Sequence, residues 1–263
     1  MPADMRPMID SNVLIGRIFP DDPYAKESTN LFRKFKHDQI EVVGQVINDV
    51  HNTTNKEANA ILEHFRKYCS LKELQKCTMT NPIRAKDIVR GALDELKRKS
   101  GNCHEGIKKE VEMALYGAID EKRINSAIAN IAILLRGKVR DLISGCLGHQ
   151  VLGTTCGYPS DAEADIEEEI QLELAGEIGS FGKIDDSDRR ILAGLVLECH
   201  HKSPITFYTF DVPFFEGYVK FWEKDRPPAF EPARQLKFVL LKSKNNPQEK
   251  QFLPSSRKSY QSS

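Results

Sequence analysis

Long apolar runs are missing from this chain. No stretch of about 18 apolar residues occurs, so no membrane-spanning helix is expected. The N-terminus has no charged segment followed by a long apolar core, so no export signal is expected either. Net charge is missing too. Lys plus Arg and Asp plus Glu stand at 38 each, which argues against a uniformly basic polyanion binder and against an acidic tail protein. The six cysteines, at positions 69, 77, 103, 146, 156 and 199, form no C-x-x-C pair. Free thiols in a reducing, cytoplasmic compartment are therefore expected. Cys199-His200-His201 and Cys103-His104 lack the two-by-two spacing of a structural zinc site. Neither G-x-x-x-x-G-K-[ST] nor G-x-G-x-x-G appears, so no loop that cradles a nucleotide is expected. A G-x-S-x-G elbow is also absent, which argues against hydrolysis through an activated serine.

What is present is a 263-residue chain with 40% apolar residues, a globular value and enough for one large domain or two small ones. It opens on Arg6-Pro-Met-Ile-Asp-Ser-Asn-Val-Leu-Ile15, a short apolar strand that runs into Asp10. A second β-rich run, Ile205-Thr-Phe-Tyr-Thr-Phe-Asp211, also ends on an acid. Between them the pattern alternates at first. Tyr24–His37 reads as an amphipathic helix with Ala25, Leu31, Phe32 and Phe35 as its apolar stripe. Ile40–Val46 reads as a strand, and Ala58–Tyr68 as a further helix. Strand–helix–strand order favours a parallel α/β sheet.

Residues 70–182 read differently. Ile83–Lys99 and Glu105–Leu147 have helical periodicity and many charges, and Asp161–Glu177 is acidic with no Lys or Arg. This region is expected to be a helical insertion. The α/β pattern restarts at Lys183, continues through the strand ending at Asp211, and includes a helix over Phe214–Lys224 and a last strand over Gln235–Leu241. Residues 1–69 and 183–245 are thus expected to form one discontinuous domain, with 246–263 a disordered tail.

Four acids share one kind of position. Asp10 and Asp211 end strands; Asp49 and Asp188 begin helices. In a parallel sheet all four would lie at the carboxyl edge. Carboxylates crowded within a few ångström repel, and a divalent cation that takes oxygen ligands relieves the repulsion. Bound Mg²⁺ or Mn²⁺ would activate a water and neutralise charge on a phosphodiester. Asn12 and Thr209 are placed to orient the carboxylates or a water. Asp185 and Asp186 read as helix caps rather than ligands, although Asp10, Asp49 and Asp188 could be caps too. His51, His64 and His149 read as structural or surface residues, and Trp222 as packing rather than a base-stacking platform.

These residues resemble PIN-domain nucleases. Met8-Ile-Asp-Ser-Asn-Val-Leu-Ile resembles that family's opening motif. Gly44-Gln-Val-Ile-Asn-Asp49 falls where its second acid, usually Glu, stands; here the acid is Asp, one methylene shorter, and Glu57 is an alternative. Asp188-Arg-Arg-Ile-Leu-Ala resembles the helix with its third acid, and Phe207-Tyr-Thr-Phe-Asp211 its Thr-x-Asp strand end. The resemblance covers roughly residues 5–68 and 183–241. It implies a PIN-like three-layer α/β/α sandwich with a central parallel sheet, and a Mg²⁺- or Mn²⁺-dependent endoribonuclease with Asp10, Asp49, Asp188 and Asp211 as catalytic metal ligands. Many members are toxins of toxin–antitoxin pairs, so an RNA substrate, an antitoxin protein and a homodimer are the partners it suggests. Two other readings stay open. One is a non-catalytic PIN-like scaffold for RNA or protein. The other is a phosphatase resembling haloacid dehalogenases, which would want a second Asp where this chain has Asn12. Lys108, Lys109, Lys122, Arg123, Arg136, Lys138 and Arg140 are expected to give the insertion a basic side for phosphate contacts, with ordinary solvated charges as the plain alternative.

Overall fold

The computed structural model describes residues 6–35, 40–100, 105–147, 151–152, 186–201, 204–226, 228–243 and 246–254. Helices dominate, around a small mixed sheet, so the general α/β class holds.

Strand β1 (Arg6–Ile9) pairs in parallel with β4 (Ile205–Thr209), with Ile9 opposite Tyr208. The latter pairs in parallel with β5 (Lys237–Leu240), which takes the antiparallel strand β6 (Lys250–Phe252) on its far side. Two shorter strands, β2 (Val42–Val43) and β3 (Val151–Leu152), pair in parallel with each other. A parallel bridge between Met8 and Glu41 sets this second pair beside β1. The two central strands are buried on both faces except at Lys237, as a sheet covered by helices requires.

Each parallel strand must return through a crossover, and these are helices. The apolar run after Asp10 is one of them: α1 (Ser11–Ile18) starts at once and buries Val13, Leu14, Ile15 and Ile18. After α2 (Ala25–Lys34) and β2, helix α3 runs unbroken from Gly44 to Tyr68. The expected strand over Ile40–Val46 is thus cut to two residues, because Val46 and Ile47 belong to the helix. Asp49 then lies in the second turn of α3 rather than at its start.

Five helices follow: α4 (Leu71–Thr80), α5 (Pro82–Ser100), α6 (Glu105–Asp120), α7 (Ile124–Ala129) and α8 (Ile131–Leu147). The helical character expected between 70 and 147 is present. The same region, 70–182, also contributes β3, which adds Val151–Leu152 to the edge of β2. The acidic run Asp161–Glu177 lies outside the described residues, as do Cys103, His149 and Cys156. The chain returns as α9 (Asp186–His201), which presses Gly194 against Val43: a Cβ there would lie 3.3 Å from the valine Cγ1. Helix α10 (Val212–Phe221) and a 3₁₀ segment (Pro228–Gln235) complete the described helices. The tail expected from 246 onward carries β6, and Asn246 is buried, donating to the Leu241 carbonyl.

Sheet and helices share one core. Met8, Val42, Phe207 and Phe238 belong to the same buried cluster as Leu74, Val89, Val111, Leu115 and Val139 of helices α4–α8. One close join is at Gly106 in α6. A Cβ at that position would stand 2.2 Å from Phe19 Cβ, so only glycine lets α6 touch the end of α1. On the far side of β4, Phe207, Phe214, Tyr218 and Phe238 pack as an aromatic group, Tyr218 stacking on Phe238 at 3.8 Å. Trp222 is buried edge-on against Tyr218 and Phe221, a packing position.

Candidate functional site

Two chain reversals meet at the carboxyl edge of β1 and β4. Both strands end on an Asp that caps the following helix. Asp10 Oδ1 accepts from the Ser11 amide at 2.6 Å, and Asp211 Oδ1 accepts from the Phe214 amide at 2.8 Å. Capping alone would explain both residues, since a carboxylate suits the positive end of a helix.

The remaining contacts join the two reversals into one unit. Thr209 donates its hydroxyl to Asp10 Oδ2 at 2.6 Å and accepts from the Asp211 amide at 2.9 Å. Asn12 donates to Asp10 Oδ2 at 2.9 Å, and its Oδ1 accepts from the Phe210 amide at 3.1 Å. Parallel register makes this possible, because it sets Thr209 just beyond Tyr208, the partner of Ile9. Asn12 and Thr209 thus both donate to the same oxygen of the Asp10 carboxylate.

Asp10 is 2% exposed. Burial pushes its carboxyl up to about 6; the hydrogen bonds from Thr209 and Ser11 oppose that, and the Asp211 charge adds to it. Among the described residues, no Lys, Arg or His stands among the main causes of that rise. A buried carboxylate beside a second one, held by neutral donors, is short of positive charge.

The other two acids stand near the starts of α3 and α9. Gln45, in the first turn of α3, donates to Asp49 Oδ1 at 2.8 Å and reaches Ser187 Oγ at 3.4 Å. Ser187 precedes Asp188 in the first turn of α9, so the starts of α3 and α9 face each other. Glu57 sits eight residues beyond Asp49 on the same helix, about 12 Å along its axis. Asp10 and Asp211 are thus joined through Thr209, while Asp49 and Asp188 stand near the facing starts of α3 and α9. Among the described residues no group of three or more His, Cys, Asp or Glu side chains is set to hold one metal ion. Asp185 lies outside the described residues, and Asp186 opens α9.

Several basic residues of the insertion are met by acids. Lys108 is buried against Asp94 at 2.6 Å, Lys109 meets Asp21 at 2.7 Å, and Arg123 pairs with Glu121. Lys138 approaches Glu110 at 3.9 Å, and Arg140 its neighbour Asp141 at 3.8 Å. Arg136 donates to Asn55 at 3.4 Å. Burial lowers the basicity of His51, and the Arg136 and Arg140 charges lower it further. His51 and Asn55 lie one turn apart on α3, so Arg136 and Arg140 line that face. Asp49 is about 200° round the helix from His51. Arg136 and Arg140 thus stand on the side of α3 opposite the one that carries Asp49.

One aromatic at the edge was missed. Tyr24, at the start of α2, stacks on Phe210 with ring centroids 4.3 Å apart and planes 10° from parallel. Burial, then Asp22, then Asp211 raise its phenol pKa, which places Tyr24 beside the Asp10–Asp211 pair. A lone Tyr after Pro23 carries no motif, so nothing in the sequence marked it. Among known proteins, no family, no curated sequence and no solved structure matches this chain.

Proposed function

We propose that the chain is a divalent-cation-dependent endoribonuclease of PIN-like fold whose reaction centre is the Asp10–Asp211 edge. The observation that carries this reading is the buried Asp10 carboxylate, raised to about 6, with Asp211 acting on it and only neutral donors, Ser11, Asn12 and Thr209, bonded to it among the described residues. The donors suit a hard cation: carboxylates with hydroxyl and amide oxygens nearby, and neither thiolate nor imidazole in the network. Two carboxylates are enough, because Mg²⁺ is commonly held by one or two of them together with waters and substrate phosphate. Asp10 and Asp211 would hold the ion, and Asn12 and Thr209 would fix the angle of Asp10. Asp49 and Asp188 would act from the facing starts of α3 and α9. Bound there, Mg²⁺ or Mn²⁺ would lower the pKa of a bound water and offset charge on the phosphodiester.

The resemblance of residues 5–68 and 183–241 to PIN-domain nucleases supports this reading, as does the parallel pairing of the strands that end at Asp10 and Asp211. A role as the toxin of a toxin–antitoxin pair, with an antitoxin protein as partner, belongs to the same proposal. Cleavage of total RNA tests it, with Mg²⁺ or Mn²⁺ and with chelator, using Asp10→Asn as the control. Cation-dependent cleavage lost in the variant is expected. Undiminished cleavage in excess chelator would sink the metal mechanism.

One observation favours a second reading, a non-catalytic scaffold. Asp10 already accepts from the Ser11 amide and hydroxyl, Asn12 and Thr209, which occupies about all four of its lone-pair sites. Under that reading Asp10 only ties the two reversals together, and RNA survives in every cation.

A further inference from the structure

Phe210 stands between Thr209 and Asp211, and its amide is held by Asn12, so its backbone belongs to the network around Asp10. Its side chain is buried, and Tyr24 lies flat against it. Tyr24 itself is only half-buried and stacks on no other ring among the described residues. Its place is fixed from both sides. Asp22 Oδ1 accepts from the Tyr24 amide at 2.9 Å. Gly16 in α1 packs so close that a Cβ there would lie 2.9 Å from Tyr24 Cβ and 2.5 Å from Ser28 Oγ. The result is a two-ring stack that runs from the strand end between Thr209 and Asp211 to a half-buried tyrosine.

We propose that Tyr24 is a stacking platform for one unpaired nucleobase next to the Asp10–Asp211 edge, which makes single-stranded RNA the ligand of this site. This rests on the ribonuclease reading for the chemistry, though not for the binding. A flat ring accepts any base, since every base has a π-face, and stacking needs a base released from a duplex. A tyrosine also adds no charge of its own beside two carboxylates, so phosphate neutralisation is left to the cation. The phenol hydroxyl is not part of the platform, and phenylalanine should serve in its place.

The test is binding of a short 2′-O-methyl RNA strand in Mg²⁺, with a single abasic position moved along it. The parent protein is expected to lose about ten-fold or more in affinity at one abasic position. Tyr24→Phe should keep that pattern. Tyr24→Leu should bind the intact strand about ten-fold more weakly and show no further loss at that position, because the base and the ring are coupled only when both are present. A structural role for Tyr24 would weaken binding at every position alike and leave the abasic pattern unchanged, which overturns the proposal. Failure of the parent to bind the single strand, or equal binding of the matching duplex, also overturns it. Cleavage of unmodified RNA is scored separately. Cation-dependent cleavage without base–ring coupling sinks the platform and leaves the ribonuclease reading standing. Coupling without cleavage does the reverse.

Discussion

The sheet edge and the helices α4–α8 treat charge in opposite ways. At the edge, Asp10 is buried among neutral donors from Ser11, Asn12 and Thr209, with Asp211 acting on it. In the helices, basic groups are met by acids from other elements, as with Lys108 and Asp94 or Lys109 and Asp21. The first arrangement leaves an electrostatic deficit that a ligand can fill; the second has been settled by the fold. Counting charges along the sequence hides this, since both regions carry many. A buried charge without a counter-ion is the more informative sign of function, because it costs stability unless something binds there.

The largest expected effect breaks the comparison at its centre. Asp10→Asn or Asp211→Asn should lower cation-dependent RNA cleavage by roughly 10³-fold, the scale on which loss of one preorganised charged group acts. Initial rates on a defined RNA, with circular dichroism to confirm folding, check this. A variant that folds and cleaves at the parent rate removes the residue from the site.

Stability against pH sharpens it. The Asp10 carboxyl is raised to about 6 from an ordinary 3.8, so the native state holds its proton more tightly than the unfolded chain. The contribution is present in full below about pH 4 and is lost as pH rises to about 6, by about 3 kcal/mol. In chelator, denaturant melts should show the parent losing stability across that window relative to Asp10→Asn, which cannot titrate. Parallel curves for the two proteins would show that burial does not disfavour the charge.

The shared core is probed at Gly106. A Cβ there meets Phe19 Cβ at 2.2 Å and Cγ at 2.8 Å, so Gly106→Ala should cost about 1–3 kcal/mol by overpacking. A single cooperative melt at lower denaturant is expected. A two-step melt, with the sheet region unchanged, would show that the helices fold as a separate unit.

The smallest effect comes from the basic groups. Arg136, Lys138 and Arg140 changed together to Gln should alter stability by less than about 1 kcal/mol, since their pairs are exposed. Cleavage should stay within about threefold, because Arg136 and Arg140 line the face of α3 away from Asp49. The local readout is His51, whose NMR-detected titration should move up once the two arginine charges are gone. A collapse of RNA binding in this variant would return recognition to the insertion, as the sequence pattern suggests.

What could be read in advance follows from how local each signal is. The ends of β1 and β4 were legible because a β-rich run stopping on an acid is a complete local pattern. Asn12 and Thr209 came with them, lying within two residues of those acids. Asp49 was misplaced within its element because Val42, Val43, Val46 and Ile47 form one β-branched cluster that the fold divides between strand and helix, and propensity cannot mark that boundary. Two-residue β3 has no period to detect, and β6 is a polar strand defined only by its partner β5. The pairing of the basic groups was invisible for the same reason. Asp21, Asp94 and Glu110 come from other elements, and helical periodicity says which face a Lys occupies without saying what covers it.

Manganese binding to the chelated protein at neutral pH measures the central claim most directly. Titration with Mn²⁺, followed by the loss of free-ion electron paramagnetic resonance signal, should show a site in the parent that raises its melting temperature. Both the binding and the thermal shift should disappear in Asp10→Asn and in Asp211→Asn. Equal Mn²⁺ uptake and equal thermal shifts in parent and variants would contradict the account, leaving Asp10 and Asp211 as caps of the helices that follow them.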